Sequence, residues 1–204
     1  MQTNSVEKTF CTTREAAALL GVSVGTVQLW VENGLLKAWK TSGGHRRVLR
    51  HSLELLLHKK SDLPNGELQG ATAQGRSDRL RVIVVEDDAA LRHLYEVQLA
   101  RWPMRPEVTA VDNAVSALLL MGRGGPDLLI TDLRMTGMNG FEMARLLRKA
   151  PEAANTTIVV VTGLSSAEIE RHEPIAAGVE VLPKPVPFER LLAIATNIVK
   201  TKSK

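Results

Sequence analysis

Four short apolar runs in the second half of the chain each end on residues able to do chemistry. Residues 82–85 lead into Glu86-Asp87-Asp88, 128–131 into Asp132, 158–161 into Thr162, and 179–182 into Pro183-Lys184-Pro185. If these runs are parallel strands of one sheet, their ends converge on a single rim. Glu86, Asp87 and Asp132 would then repel one another, because like charges a few ångströms apart raise each other's pKa. A hard divalent cation relieves that repulsion. Mg²⁺ suits it best, since it binds through one or two carboxylates, keeps several waters and accepts phosphate oxygens. A carboxylate beside Mg²⁺, a lysine and a strand-end hydroxyl make a phosphoryl-transfer site. Asp132 is the candidate nucleophile, forming an acyl phosphate. Lys184 would balance charge on the transferred group, and the Thr162 hydroxyl would bond one of its oxygens. Strand-end acids also cap helices, which is the simpler account of Asp88 or Asp112 taken alone. Capping needs neither Lys184-Pro185 nor three acids on neighbouring strands, so the combined set points to chemistry.

The elements that must position these groups alternate. Strands are expected at 81–85, 107–111, 128–131, 158–162 and 179–182, with helices at 89–101, 113–122, 140–149, 166–177 and 187–200. Five strands alternating with five helices imply an α/β doubly wound domain, a five-stranded parallel sheet covered on both faces. Pro174 is awkward within the fourth helix, where it removes a backbone bond and shortens or kinks the segment.

The first 60 residues follow another plan. Thr12 and Glu15 have capping-box spacing and open a helix that runs to Leu20 and ends at Gly21. Ser23 caps a second helix with Val27, Trp30 and Val31 on one face, closed by Asn33-Gly34. Residues 36–40 and 46–49 flank the turn-rich 41–45 as a hairpin, and 52–60 form a third helix. This small, mostly α module is a winged helix-turn-helix. Trp30 and Trp39 are expected in its core, because a chain with only 3% aromatic residues spends them on packing.

Charge separates the two plans. The chain's net charge of +4 is unevenly placed: residues 1–60 hold nine Lys/Arg against four Asp/Glu, whereas 81–204 hold fifteen of each. A basic module joined to a neutral one suggests that the basic part meets a polyanion. Between them, 61–80 carry Pro64, Gly66, Gly70 and Gly75 with no helical or strand period, and read as a flexible linker. The single cysteine, Cys11, excludes an internal disulfide framework and a cysteine-rich zinc site. No apolar run approaches a membrane span, and the N-terminus lacks a signal-like segment. The expectation is a soluble, cytoplasmic protein.

Residues 81–200 resemble the response-regulator receiver domain of two-component signalling. The motifs VIVVEDD (82–88), LLITDLRMTGMNGFE (128–142), VVVTG (159–163) and LPKP (182–185) carry the likeness. Their order and spacing fit, with 30 residues from Asp132 to Thr162 and 22 from Thr162 to Lys184. The resemblance implies a flavodoxin-like fold with Asp132 as phosphoacceptor, assisted by Thr162 and Lys184. It also implies Asp87 and Asp132 as Mg²⁺ ligands, Glu86 acting largely through metal-bound water, and the Arg134 backbone carbonyl completing the protein ligands. The implied donor is a sensor histidine kinase or a small acyl phosphate. Two positions depart from the family pattern. Thr136 replaces the usual proline, and Val181, three residues before Lys184, replaces the usual Tyr or Phe of the Thr–aromatic switch.

The segment 12–48 resembles the MerR-like and excisionase-like winged helices, through GVSVGTVQLWVENGLL and TSGGHRRV. The resemblance implies that the second helix enters the major groove of double-stranded DNA, with the hairpin against the backbone or minor groove. Lys40, Arg46 and Arg47 are the candidate phosphate contacts. His45 either touches phosphate or closes the turn. Ser23, Thr26 and Gln28 are expected on the exposed helix face, where Gln28 can pair with an adenine edge.

These expectations describe a transcription regulator controlled by phosphorylation of Asp132, acting as a homodimer or oligomer, rather than an enzyme with a separate substrate. The alternative is an architectural or excisionase-like DNA-binding protein whose receiver-like domain is an interaction module indifferent to phosphate. Haloacid-dehalogenase-like phosphatases also use a strand-end Asp, but they need a second Asp two residues later. Here that position is Arg134.

Overall fold

The computed structural model describes residues 9–61, 79–121, 125–135, 140–171, 175 and 178–202. The chain divides into two compact units, Met1–Leu63 and Pro64–Lys204.

The first unit runs β1 (Phe10–Thr12), α1 (Thr13–Leu20), α2 (Val24–Glu32), β2 (Ala38–Lys40), β3 (Arg46–Leu49) and α3 (Arg50–Ser61). The capping box is formed. Thr12 Oγ1 accepts the Glu15 amide at 3.1 Å, and Glu15 Oε2 accepts the Thr12 amide at 2.7 Å. Gly21 ends α1 at φ +73°, a left-handed turn that favours glycine. Ser23 caps α2 by accepting the Thr26 amide at 3.0 Å. The hairpin becomes a three-stranded sheet in the order β1-β3-β2, because Phe10–Thr12 adds to the outer edge of β3. β1 escapes a sequence reading since it is three residues long and passes straight into the capped α1, with no turn between. α3 begins at Arg50, two residues before the expected start. The core holds Cys11, Ala16, Leu20, Val27, Trp30 and Val48.

Trp39 departs from expectation. Trp30 is buried as expected, but Trp39 is exposed on β2, its ring set edge-on against Phe10 with centroids 5.2 Å apart. The strand period decides this: Val48 and its partner Ala38 face the helices, so Trp39 must point away.

The second unit runs β4 (Arg81–Val85), α4 (Ala89–Ala100), β5 (Glu107–Val111), α5 (Ala114–Met121), β6 (Leu128–Thr131), α6 (Gly140–Lys149), β7 (Thr157–Thr162), α7 (Ser166–Arg171), β8 (Val179–Pro183) and α8 (Phe188–Lys202). All five strands are parallel in the order β5-β4-β6-β7-β8, the flavodoxin-like arrangement. The central strands read as continuous apolar runs because both faces are covered, and 128–131 and 158–161 are buried throughout.

Asp88 caps α4, accepting the Leu91 amide at 2.8 Å. Asp112 does not cap α5. Asn113 does, accepting the Ser116 amide at 2.8 Å, because it is the residue immediately before the first helical one. The expected linker is shorter at both ends. Ser61 closes α3, and Leu80 is buried in the core of the second unit. The rest of that linker, Thr136, Pro174 and most of the expected helix beyond Arg171 lie outside the described residues.

Candidate functional site

Sheet register assembles the first site. Val85 pairs with Thr131, so the next residues, Glu86 and Asp132, stand side by side at the carboxyl rim. Thr162 pairs with Pro183, and the Lys184 amide donates to the Thr162 carbonyl at 2.8 Å, which carries Lys184 to the same rim. The Lys184 ammonium then lies 2.7 Å from Asp132 Oδ2 and 3.0 Å from Glu86 Oε2. Both carboxylates are buried. Burial alone would lower the Lys184 pKa. Hydrogen bonds and charge from Asp132 and Glu86 outweigh it and hold the ammonium above its ordinary value.

The remaining contacts fix the acids in place. Asp132 Oδ1 accepts the Leu133 amide at 2.5 Å and the Arg134 amide at 3.1 Å, leaving Oδ2 to face Lys184. The Thr131 hydroxyl donates to the Asp132 carbonyl at 2.9 Å. Thr162 is buried at the end of β7, where its Oγ1 accepts the Leu164 amide at 3.3 Å. Asp87 is half-buried beside Glu86.

Three contributors were not foreseen from the sequence. Arg92 donates from Nη1 to the Glu86 carbonyl at 2.8 Å and to the Asp87 carbonyl at 3.3 Å, clamping the acidic loop. Its position one turn past the Asp88 cap was the available signal, since helical side chains lean toward the N-terminus. Gly140, at the start of α6, sits against the Asp132 carbonyl where a Cβ would collide. Tyr95 on α4 is buried within electrostatic reach of the pocket. Burial first, then the charges of Glu86 and Asp132, push its phenol well above the usual range.

Tyr95 and Lys184 both hold a proton more tightly in the folded chain than their ordinary values of 10.0 and 10.5 allow. Above those values the folded state binds more protons than the unfolded one, so stability falls as pH rises. That contribution is intact below about pH 10 and is lost through the alkaline range. Urea midpoints should drop as pH climbs above 10, and less steeply in Tyr95→Phe.

The donor set is all oxygen, with no sulfur or imidazole, which fits a hard cation and not zinc. Among the described residues no three of His, Cys, Asp and Glu close into a metal cage. An open set of one or two carboxylates is what Mg²⁺ uses, because it retains its waters.

The second site is the basic face of the first unit. Lys40 and His45 are exposed at the hairpin, and the His45 amide donates to Thr41 Oγ1 at 3.2 Å, closing the turn. Gln28 is half-buried on α2. Thr26 is buried, contrary to expectation, with its hydroxyl 2.9 Å from that of Ser23. Ser23 and Thr26 are thus engaged with each other at the helix start rather than displayed on an open face. Arg46 reaches across to α2 and pairs with Glu32 at 2.6 Å, and Arg47 donates to the Arg46 carbonyl at 3.4 Å.

A flavodoxin-like sheet with an acid–lysine rim, beside a separate helix-turn-helix unit, defines a two-domain signalling protein. The chain belongs to the response-regulator receiver family, whose domain model matches residues 82–196, more than half its length. A helix-turn-helix domain model matches residues 10–61. The cyclic di-GMP phosphodiesterase response regulator RpfG of Xanthomonas campestris is 27% identical over 153 residues, covering 72% of this chain and 39% of that protein. The response regulator MprA of Mycobacterium leprae is 33% identical over 115 residues, 56% of this chain and 48% of its own. The chain thus spans less than half of either relative. Among solved structures, the chemotaxis response regulator CheY4 of Vibrio cholerae superposes with a TM-score of 0.51 at 24% identity, covering 59% of this chain and 98% of that one. The receiver domain of the Francisella response regulator 1452 gives 0.52 at 21%, covering 61% and 99%. These last two establish the fold alone. No helix among the described residues is long and apolar enough to cross a membrane.

Proposed function

We propose that the chain is a cytoplasmic transcription regulator whose binding to double-stranded DNA is controlled by phosphorylation of Asp132. The observation that carries this is the Lys184 ammonium shared between Asp132 and Glu86 at one strand rim. An Asp132 carboxylate oxygen attacks phosphorus and forms a new O–P bond. The bond from phosphorus to the donor breaks, and its electron pair leaves with the donor, a sensor kinase's phosphohistidine or a small acyl phosphate. Lys184 sits where charge on the transferred group must be balanced, and Thr162 lies at the neighbouring strand end to bond a phosphoryl oxygen. Mg²⁺ would be held by Asp87, Asp132 and the Arg134 carbonyl, with Glu86 acting through water. Bound there, it neutralises phosphate charge. Arg92 orients the carboxylates of this loop by gripping its backbone.

The first unit is the DNA reader, of MerR or excisionase type. α2 supplies Gln28 to the major groove, and Lys40, His45, Arg46 and Arg47 meet the backbone from the hairpin. An acyl phosphate adds nearly two negative charges and shifts the balance between self-association states, so dimers or oligomers place several readers on repeated sites. The second reading, a receiver indifferent to phosphate, is favoured by Val181, an aliphatic residue where the family carries its switch aromatic.

Incubation with a small acyl-phosphate donor and Mg²⁺ should add about 80 Da to the wild-type chain and nothing to Asp132→Ala. No gain on the wild type rejects the phosphoacceptor assignment. The Arg46–Glu32 pair competes with DNA for the guanidinium. Glu32→Gln should therefore tighten duplex binding by about threefold or more at low salt and steepen its salt dependence by up to about one unit. A fluorescence anisotropy titration across salt concentrations checks this. Arg46→Ala with Arg47→Ala should do the reverse.

A further inference from the structure

We propose that the outer face of the β1-β3-β2 sheet, centred on Trp39 and Phe10, docks on the sugar–phosphate backbone of duplex DNA. This rests on the DNA-binding reading above and adds a surface to it beyond the helix and the hairpin tip. Register defines the face. Phe10 stands opposite Leu49 and Trp39 opposite Arg47, so these four side chains leave the sheet on one side, while Cys11, Ala38 and Val48 leave it on the other. Phe10 is 38% exposed, Trp39 41% and Leu49 36%, a contiguous apolar surface on a small unit. Burial of Trp30 and Cys11 shows that this unit had room in its core for large apolar groups. The aromatic pair is nevertheless held outside, edge to face.

Charge selects the occupant. The three strands carry Lys40, Arg46 and Arg47 and no carboxylate. The nearest acids are already engaged, Glu15 with Thr12 and Glu32 with Arg46. A second copy docking by twofold symmetry would bring Arg47 toward its own counterpart, which like-charge repulsion opposes. An aliphatic protein surface would leave that guanidinium desolvated without a partner. A nucleic-acid strand answers both features, because apolar deoxyribose faces alternate with phosphates along its length. The rings lie against sugars, with Arg47 and Lys40 on the flanking phosphates.

Trp39 also reports on its own surroundings. Of the three tryptophans, Trp30 is 1% exposed and Trp102 is 6%, so acrylamide quenching of the full chain reads Trp39 almost alone. Saturating duplex should reduce the quenching constant at least about threefold, and Trp39→Ala should weaken duplex binding by about tenfold at an unchanged urea midpoint. Trp39→Phe should retain most of the affinity. If the duplex binds by anisotropy while Trp39 stays fully quenchable, the inference is wrong and the DNA reading stands. If no duplex binds, both fall together. Protection that grows with protein concentration in the absence of DNA identifies a second copy as the occupant and overturns the proposal.

Discussion

Lys184→Met should destabilise the receiver unit by about 1–3 kcal/mol at neutral pH and slow phosphoryl uptake at least about 100-fold. The ammonium is the one cation bonded to both Glu86 and Asp132, and without it two buried carboxylates face each other uncompensated. Breaking a fully buried pair costs about 3–5 kcal/mol, but the Lys184 side chain is 25% exposed, so water recovers part of that loss. The deficit should depend on pH in a definite sense. Mutual repulsion raises the carboxylates' folded pKa, so the folded variant binds more protons than the unfolded chain and regains stability as pH falls. Adding Glu86→Gln should restore stability at neutral pH without restoring phosphorylation. Urea midpoints for the single and double variants between pH 5 and 8 check this. A midpoint for Lys184→Met equal to wild type across that range would refute the shared-ammonium account.

Gly140→Ala should cost about 2–4 kcal/mol and lower phosphoryl uptake at least about tenfold, although residue 140 is neither acid nor base. A Cβ there would collide with the Asp132 carbonyl oxygen and come within 2.8 Å of Leu133 Cα. Both obstacles are backbone, so no side chain can swing away. The Gly140 amide also donates to the Leu133 carbonyl at 3.1 Å, which seats the start of α6 directly on the phosphoacceptor loop. Relief must come from moving that loop, and the loop holds Asp132. Gly43→Ala is the matched control, since its nearest neighbour would be the His45 ring at 3.6 Å, an ordinary contact. Circular dichroism during urea unfolding and intact-mass kinetics separate lost stability from lost chemistry.

The receiver rim was legible because its signals are local. Each buried parallel strand is an apolar run, and each run stops on a residue that cannot remain in the core, such as Glu86, Asp132 or Lys184. Register then does the assembly, since parallel strands align their ends. What escaped depended on distance in sequence or on phase. Arg46 and Glu32 lie 14 residues apart and meet only when the hairpin folds back on α2. Scarcity of aromatics suggested that Trp39 is core, yet strand alternation overrides composition, and its neighbour Ala38 takes the inward position. Thr26 has a polar side chain on a helix expected to face DNA, but the capping turn consumes its hydroxyl. Gly140 carried no readable signal, because the need for glycine there comes from a backbone approach eight positions from Asp132.

The coupling of phosphate to DNA is tested most directly by duplex affinity on a single preparation, before and after treatment with an acyl-phosphate donor and Mg²⁺, with intact mass recorded in parallel. The account predicts a change in affinity of at least about fivefold that tracks the phosphorylated fraction and is absent in Asp132→Ala. A fully phosphorylated sample whose duplex affinity equals that of the untreated chain would contradict it.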